Sequence, residues 1–236
     1  MSDGITLVLQ QEVPIIIGLT TLLCGLCVWV SRKIRAADPF EKPTGAVLLG
    51  CWLVETVDHM VEDIINQKYA KKLAPYIGTV AIYIFLSNIT GLFGFSAPTQ
   101  NFSVTLVLAL ITWVMIQKTC IKENGFKSYL KGYVEPFAFL LIPNFFGRIS
   151  PLISMSLRLF GNVLSGTLIM SLIYSFTEWI STTIFSFIPL TQINLVGPFI
   201  TPIFHAYFDV FVGFIQMFIF ITLTMVFIGN ELPQEE

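Results

Sequence analysis

The chain has 236 residues, 55% of them hydrophobic and 12% charged, where soluble domains usually carry about 25% charged residues. With a mean hydropathy of +0.78, this composition excludes an ordinary water-soluble core and points to one helical bundle in lipid. A net charge of −2 excludes the basic surface that a nucleic-acid partner requires.

In chain order, the first dozen residues (MSDGITLVLQQE) hold two acids and no Lys or Arg. The basic n-region of a cleavable signal peptide is therefore missing, and the first apolar run is expected to remain as a span. That run, over 13–31, ends at Arg32, Lys33 and Arg35. Its Cys24 and Cys27 have CxxC spacing but no His or second pair nearby; we read them as small packing residues, with no metal. A charged but helix-periodic stretch over 44–66 reads as an amphipathic cytoplasmic helix. Its Glu55, Asp58, His59 and Glu62 share a face, which is read as solvated, since a carboxylate metal site needs ligands from other elements.

The second span is placed at 75–93 and the third at 103–120, joined by the Gly-rich turn GLFGFSAPTQN. Beyond a basic loop, 134–177 is mostly apolar and too long for one perpendicular crossing. The last span, 199–228, is also long, so the final two helices are expected to tilt. The fold class is thus all-α and polytopic, with about five spans and one amphipathic helix in a single integral membrane domain.

Loop charge then sets orientation. Arg32, Lys33, Arg35, Lys42, Lys68, Lys71 and Lys72 lie between spans one and two, and Lys118, Lys122, Lys127 and Lys131 follow span three. The N-terminus and the turn between spans two and three carry none. The positive-inside rule places both basic loops in the cytoplasm, the N-terminus outside and the acidic C-terminal tail inside.

Two polar stripes interrupt the long apolar helices. Ser154, Arg158, Asn162 and Ser165 recur at steps of four, four and three, and so do His205, Asp209, Gly213 and Gln216. Such steps line one helix face, while Gly161 and Gly166 permit a close approach. An arginine at the bilayer centre costs roughly 2.5–3.5 kcal/mol on insertion scales and marks a functional site by default. Pairing of Arg158 with Asp209 as structural glue is the plainer alternative, but it leaves the amides, the histidine and the serines on the same faces unexplained. Taken alone, the residues point to an ion-conducting site with a fixed positive charge at its middle.

The string LRLFGN at 157–162, followed by Ser165 and Gly166, resembles the hallmark of subunit a of the F-type ATP synthase membrane sector. Three further segments resemble that family in the same order: KLAPYIGTVAIYIFLSNITGLF, SVTLVLAL and QMFIFITLTMVF. The resemblance implies a non-catalytic stator subunit with two offset half-channels for protons or sodium ions. Its implied partners are a rotor ring of small subunits c, each with a buried carboxylate, and the peripheral stalk subunit b. It also implies a bacterial plasma-membrane location and no cofactor.

By the same resemblance, Arg158 matches the essential arginine, Asn162 the amide one turn on, Gln216 the facing glutamine, and Asn88 a polar residue of the outer half-channel. Many relatives carry an acid or histidine where this chain has Thr167, and Asp209 stands where histidine or glutamate is common. The acid is then supplied from the other helix, with His205 either its entrance neighbour or an interfacial histidine. Glu178, beside Trp179, is either a mouth residue or an interfacial charge. No P-loop is present, so the chain is not expected to bind ATP itself. The competing reading is a secondary ion-coupled transporter with its own midplane site, although no internal repeat supports it.

Overall fold

The computed structural model describes residues 12–37, 42–65, 67–135, 137–184 and 194–233. The expectations for the first eleven residues and for the last three lie outside the described residues. The described residues form helices α1 (Glu12–Ala36), α2 (Ala46–Glu62), α3 (Gln67–Ile89), α4 (Phe102–Asn124), α5 (Phe126–Val134), α6 (Leu141–Ile184), α7 (Gly197–His205) and α8 (Gly213–Gly229). They contain no strand. A π-helical segment, Ala206–Val212, joins α7 to α8, so 197–229 is one continuous helical rod. Five stretches are long and apolar enough to cross a bilayer: 13–36, 67–93, 102–124, 141–184 and 197–229.

These helices pack where the sequence places small or apolar residues on one face. The largest contacts are α4 on α6 and α3 on α8. One core cluster joins the ends of α2, α3, α4 and α8 through Val61, Ile77, Ile116, Ile221, Met225 and Ile228. A second joins the middles of α3, α4, α6 and α8 through Ile84, Ala109, Met155, Leu159 and Phe220. Leu159 is fully buried, so α6 turns that side inward and leaves the adjacent Arg158 half-buried on its flank. Buried threonines do not leave orphan hydroxyls: Thr105, Thr112 and Thr224 donate to carbonyls three or four residues back, a bond open to a side chain short enough to fold back on its own helix.

The turns are fixed by local chemistry. The Asn101 side chain accepts from the Ser103 N–H at 2.9 Å and so caps α4. Gly94 and Gly125 adopt φ of 77° and 80°, left-handed values that favour glycine, and they end the turn after α3 and the helix α4.

The helices run past the sequence expectation at several ends, with α1 reaching Ala36, α4 Asn124 and α6 Ile184, and two starts also differ. Helix α3 begins at Gln67, so Pro75 lies inside it instead of starting it. Its entry turn is held by packing, since Ala70, Leu73 and Ala74 are all buried, and that burial outweighs the loss of one backbone hydrogen bond. The region 134–177 is not one helix from its start, because α5 ends at Val134 and α6 begins only at Leu141.

Arg148 and Asn144, which the sequence reading did not single out, set this corner. The Arg148 guanidinium lies 4.5 Å from the Tyr129 ring centre and 4.8 Å from that of Tyr133, and it reaches Cys120 Sγ at 3.7 Å. Asn144 Nδ2 donates to the α5 carbonyls of Gly132 and Tyr133 and to that of Glu135, groups that a helix end otherwise leaves open. Burial, followed by the hydrogen bond with Tyr129, pushes the Tyr133 hydroxyl up to about 12, so it stays neutral at working pH.

Cys24 and Cys27 are exposed. They are not packing residues within this chain, because the inward contacts of α1 are few and its spanning stretch is only 6% buried. Glu55, Asp58 and His59 are exposed on α2, and Glu62 is partly so.

Candidate functional site

Asn162, Thr167, Ser171 and Tyr174 of α6 and His205, Asp209 and Gln216 of the rod face one cavity of about 320 Å³. Its wall includes Gly94, Phe95, Ser96 and Ala97 from the turn after α3, so the cavity begins at that end of the bundle. From there Tyr174, Thr167 and Asn162 line it on α6, and His205, Asp209 and Gln216 line it on the rod. The two helices run in opposite directions, so the sequence order on one is reversed on the other. Going inward, Tyr174 meets His205, Asp209 follows, and Asn162 meets Gln216.

These meetings are hydrogen-bonded. The Tyr174 hydroxyl and His205 Nε2 are 2.5 Å apart. His205 Nδ1 and Asp209 Oδ2 are 2.6 Å apart, one helical turn along the rod. Asn162 Nδ2 donates to Gln216 Oε1. Gln216 is 2% exposed, and among the described residues its Nε2 has no hydrogen-bond partner, a buried donor left open on a residue that lines the cavity.

Asn88, from α3, closes another wall. Its Oδ1 accepts from Thr99 Oγ1 at 2.9 Å, and its Nδ2 donates to the Gly213 carbonyl at 3.4 Å. Two glycines allow the close approach. A Cβ on Gly213 would lie 2.9 Å from Asn88 Cβ, and one on Gly91 would lie 3.1–3.2 Å from the Asp209 carboxylate.

The arginine is held differently. Arg158 does not line the cavity. It lies one turn beyond Asn162, and its Nη2 donates to Ser154 Oγ at 3.4 Å. Among the described residues Arg158 has no salt bridge to a carboxylate, and the Asp209 carboxylate is hydrogen-bonded to His205. The Arg158–Asp209 pairing is therefore absent: because Asn162 meets Gln216, Arg158 and Asp209 lie on opposite sides of that pair, and Asp209 bonds His205 instead.

Ser165 donates back to the Asn162 carbonyl and does not line the cavity, whereas Thr167 donates to Leu164 O and does. Gly166 approaches Phe208 (3.7 Å to an added Cβ), while Gly161 has open space. Glu178 and Trp179 are both exposed, with Trp179 stacked on Phe176.

Two comparisons with known proteins bear on this arrangement. The sequence model of the ATP synthase A chain family matches residues 13–229. The chain belongs to the ATP synthase A chain family. It is similar to ATP synthase subunit a of Mycoplasma pneumoniae, 34% identical over 89% of this chain and 74% of that protein. It is also similar to subunit a of Limosilactobacillus reuteri, 30% identical over 91% of this chain and 93% of the relative. A third relative, from Aliarcobacter butzleri, is 32% identical over 82% and 78% of the two chains. As a member of the ATP synthase A chain family with five apolar helical stretches, the chain is a multi-pass membrane protein. The match takes in α1, α6 and the α7–α8 rod together, so both polar stripes fall within the family's own extent. Tyr174 was missed from the sequence because it sits among aromatic residues near Trp179 and reads as an interfacial tyrosine. The signal was its seven-residue spacing from Thr167, which puts the two on one helix face.

Proposed function

We propose that this chain is the ion-conducting stator subunit of a rotary F-type ATP synthase, and that the cavity from the 94–97 turn to the Asn162–Gln216 pair is its outer half-channel. One observation carries this reading: the polar cavity ends at Asn162 and Gln216, and Arg158 stands one turn further in, outside it. A continuous pore would leak ions, whereas a blind channel capped by a fixed positive charge delivers ions without letting them through.

The chemistry follows from where charge is tolerated. A rotor carboxylate facing lipid must be neutral, carrying a proton or sodium ion, because a bare anion there costs several kcal/mol. Opposite Arg158 the ionised form is favoured, and the bound ion is released toward one side. The site is reloaded from the other side through the cavity. Arg158 can face such a partner because, among the described residues, its side chain is held by the weak bond to Ser154, and because the neighbouring face carries Gly161 with nothing against it. Gln216 Nε2 and Asn162 supply neutral donors at the inner end. Each unit charge that crosses gives about 2.3 kcal/mol per 100 mV.

The partners in this reading are the subunit c ring on the Arg158 face, the peripheral stalk subunit b, and the rest of the ATP synthase complex. The location in this reading is a bacterial plasma membrane, since the relatives named above come from bacteria, with the N-terminus outside and the basic loops in the cytoplasm. The family assignment disfavours the secondary-transporter alternative.

The test is Arg158→Ala in the whole complex reconstituted in vesicles. Ion-driven ATP synthesis should fall by about a hundredfold or more, as when an enzyme loses a preorganised charge-stabilising group, while the complex still assembles. Lysine should rescue poorly, since a compact ammonium lacks the planar fork of donors. Near-normal synthesis by Arg158→Ala would overturn the assignment.

A further inference from the structure

Three titratable side chains line the cavity, and they are the three joined by its two shortest outer contacts: Tyr174 to His205 at 2.5 Å and His205 to Asp209 at 2.6 Å. Their exposure falls in the same order, with Tyr174 45% exposed and the His205 and Asp209 side chains 21% and 17%. The series therefore runs from the wet mouth toward the buried end. The other lining residues from α3, α6, α8 and the turn after α3 carry amides, hydroxyls or apolar groups.

Resting on the reading of this cavity as the ion path, we propose that Tyr174 is the outermost member of a Tyr174–His205–Asp209 proton wire. Each link has the donor and acceptor it needs. In the resting arrangement Nδ1–H of His205 donates to the Asp209 carboxylate, and the Tyr174 hydroxyl donates to Nε2. A hydronium ion at the mouth gives up one O–H proton to the Tyr174 oxygen as that oxygen releases its own proton to Nε2. At the same time Nδ1 releases its proton to Oδ2 of Asp209. One O–H bond forms and one breaks at tyrosine, one N–H forms and one breaks on the ring, and one O–H forms on the carboxyl group. Water is left at the mouth, and a single positive charge has moved from there to Asp209. Once Asp209 has passed its proton inward, tautomer exchange through water restores the first arrangement: Nε2 gives its proton to water and Nδ1 takes one back.

A sodium ion cannot follow this route. It would have to replace both short hydrogen bonds to reach the same carboxylate, and it gains nothing from a neutral imidazole that can pass only protons.

The experiment uses the intact complex in vesicles, with ATP-driven acidification measured in sodium-free H2O and D2O. Tyr174→Phe keeps the ring and removes the hydroxyl. Its initial rate should fall about three- to tenfold, the factor that one hydrogen bond's net free energy corresponds to. Its solvent isotope effect should exceed the wild type's, because proton delivery now limits turnover, and its passive proton permeability should stay unchanged. A merely structural tyrosine would leave the isotope effect where it was.

If Tyr174→Phe did not assemble, His205→Gln would provide the same readouts, since an amide both donates and accepts but does not relay. An unchanged rate and isotope effect in the variant that assembles would overturn the wire. So would ATP-driven accumulation of radioactive sodium by the wild type in place of protons. Asp209→Asn, measured alongside, separates the two readings. Slow Asp209→Asn with normal Tyr174→Phe sinks the wire alone, and normal pumping in both sinks the half-channel as well.

Discussion

The same substitution at two glycines should do opposite things. At Gly213 an added Cβ would lie 2.9 Å from Asn88 Cβ, and both atoms are fixed to helix backbones. Carbon atoms pack at about 3.5–4.0 Å, so α3 and the rod must part by roughly 0.8 Å. The Asn88 Nδ2 bond to the Gly213 carbonyl, already 3.4 Å, is then lost. Overpacking costs about 1–3 kcal/mol and the lost bond about 1 kcal/mol, offset by about 1 kcal/mol of helix propensity for alanine over glycine. Gly213→Ala should thus destabilise the subunit by about 2 kcal/mol, or about 4–8 °C in the first melting transition for a chain of this size.

At Gly91 the added Cβ would meet only the end of the Asp209 side chain, at 3.1–3.2 Å. That end yields by a few tenths of an ångström, so melting should stay within about 1 °C of wild type, as for changes away from fixed contacts. Transport should suffer instead, because a methyl group takes a position beside the carboxylate that water otherwise reaches. About 1 kcal/mol of lost solvation corresponds to roughly fivefold slower ATP-driven pumping. Differential scanning calorimetry of the purified complex and initial pumping rates in vesicles measure the two quantities. If Gly91→Ala melted earlier than Gly213→Ala, or if the two variants pumped alike, the distinction between a yielding and a fixed neighbour would be refuted.

Two other outcomes are expected. Asp209→Asn should slow ATP-driven ion pumping without raising passive permeability, since Arg158 is untouched, and Thr167→Glu should partly restore it because Thr167 lines the same cavity; a double variant no faster than Asp209→Asn would remove the exchange of acids between helices. Arg148→Met should loosen α5 by about 1–3 kcal/mol, the range for one cation held over two rings, and so speed trypsin cleavage at Lys127 and Lys131 at least about fivefold; unchanged cleavage would show that the two tyrosine rings do not hold the corner.

The steps of four and three that placed Arg158, Asn162, Asp209 and Gln216 on helix faces were readable because a polar group in lipid is rare, so its period stands out against an apolar background. The five apolar stretches were readable for the same reason. What could not be read is the pairing across 54 residues that joins Asn162 to Gln216, since periodicity gives a face but not the rotation of one helix against another. Nor does any residue type announce the π-helical turn at Ala206–Val212. It depends on the backbone bonds of one wide turn. Arg148 escaped notice because it counts as one more positive charge near a basic loop, and only the fold brings Tyr129 and Tyr133 around it.

The 44 residues of α6 make a rod about 66 Å long at 1.5 Å per residue. A membrane with its headgroups is only about 45 Å thick. Taken straight, a rod held within it leans at least about 47° from the normal, and its two ends lie some 48 Å apart in the membrane plane. Tyr174 and Arg158, sixteen residues apart, are then separated by about 16 Å in depth and about 18 Å sideways. An ion that descends this ramp cannot move toward the far side without also moving around the axis of whatever turns against it. If α6 borders the ion path and a rotor turns against it, as proposed above, the lean of one helix converts a vertical voltage into a direction of rotation.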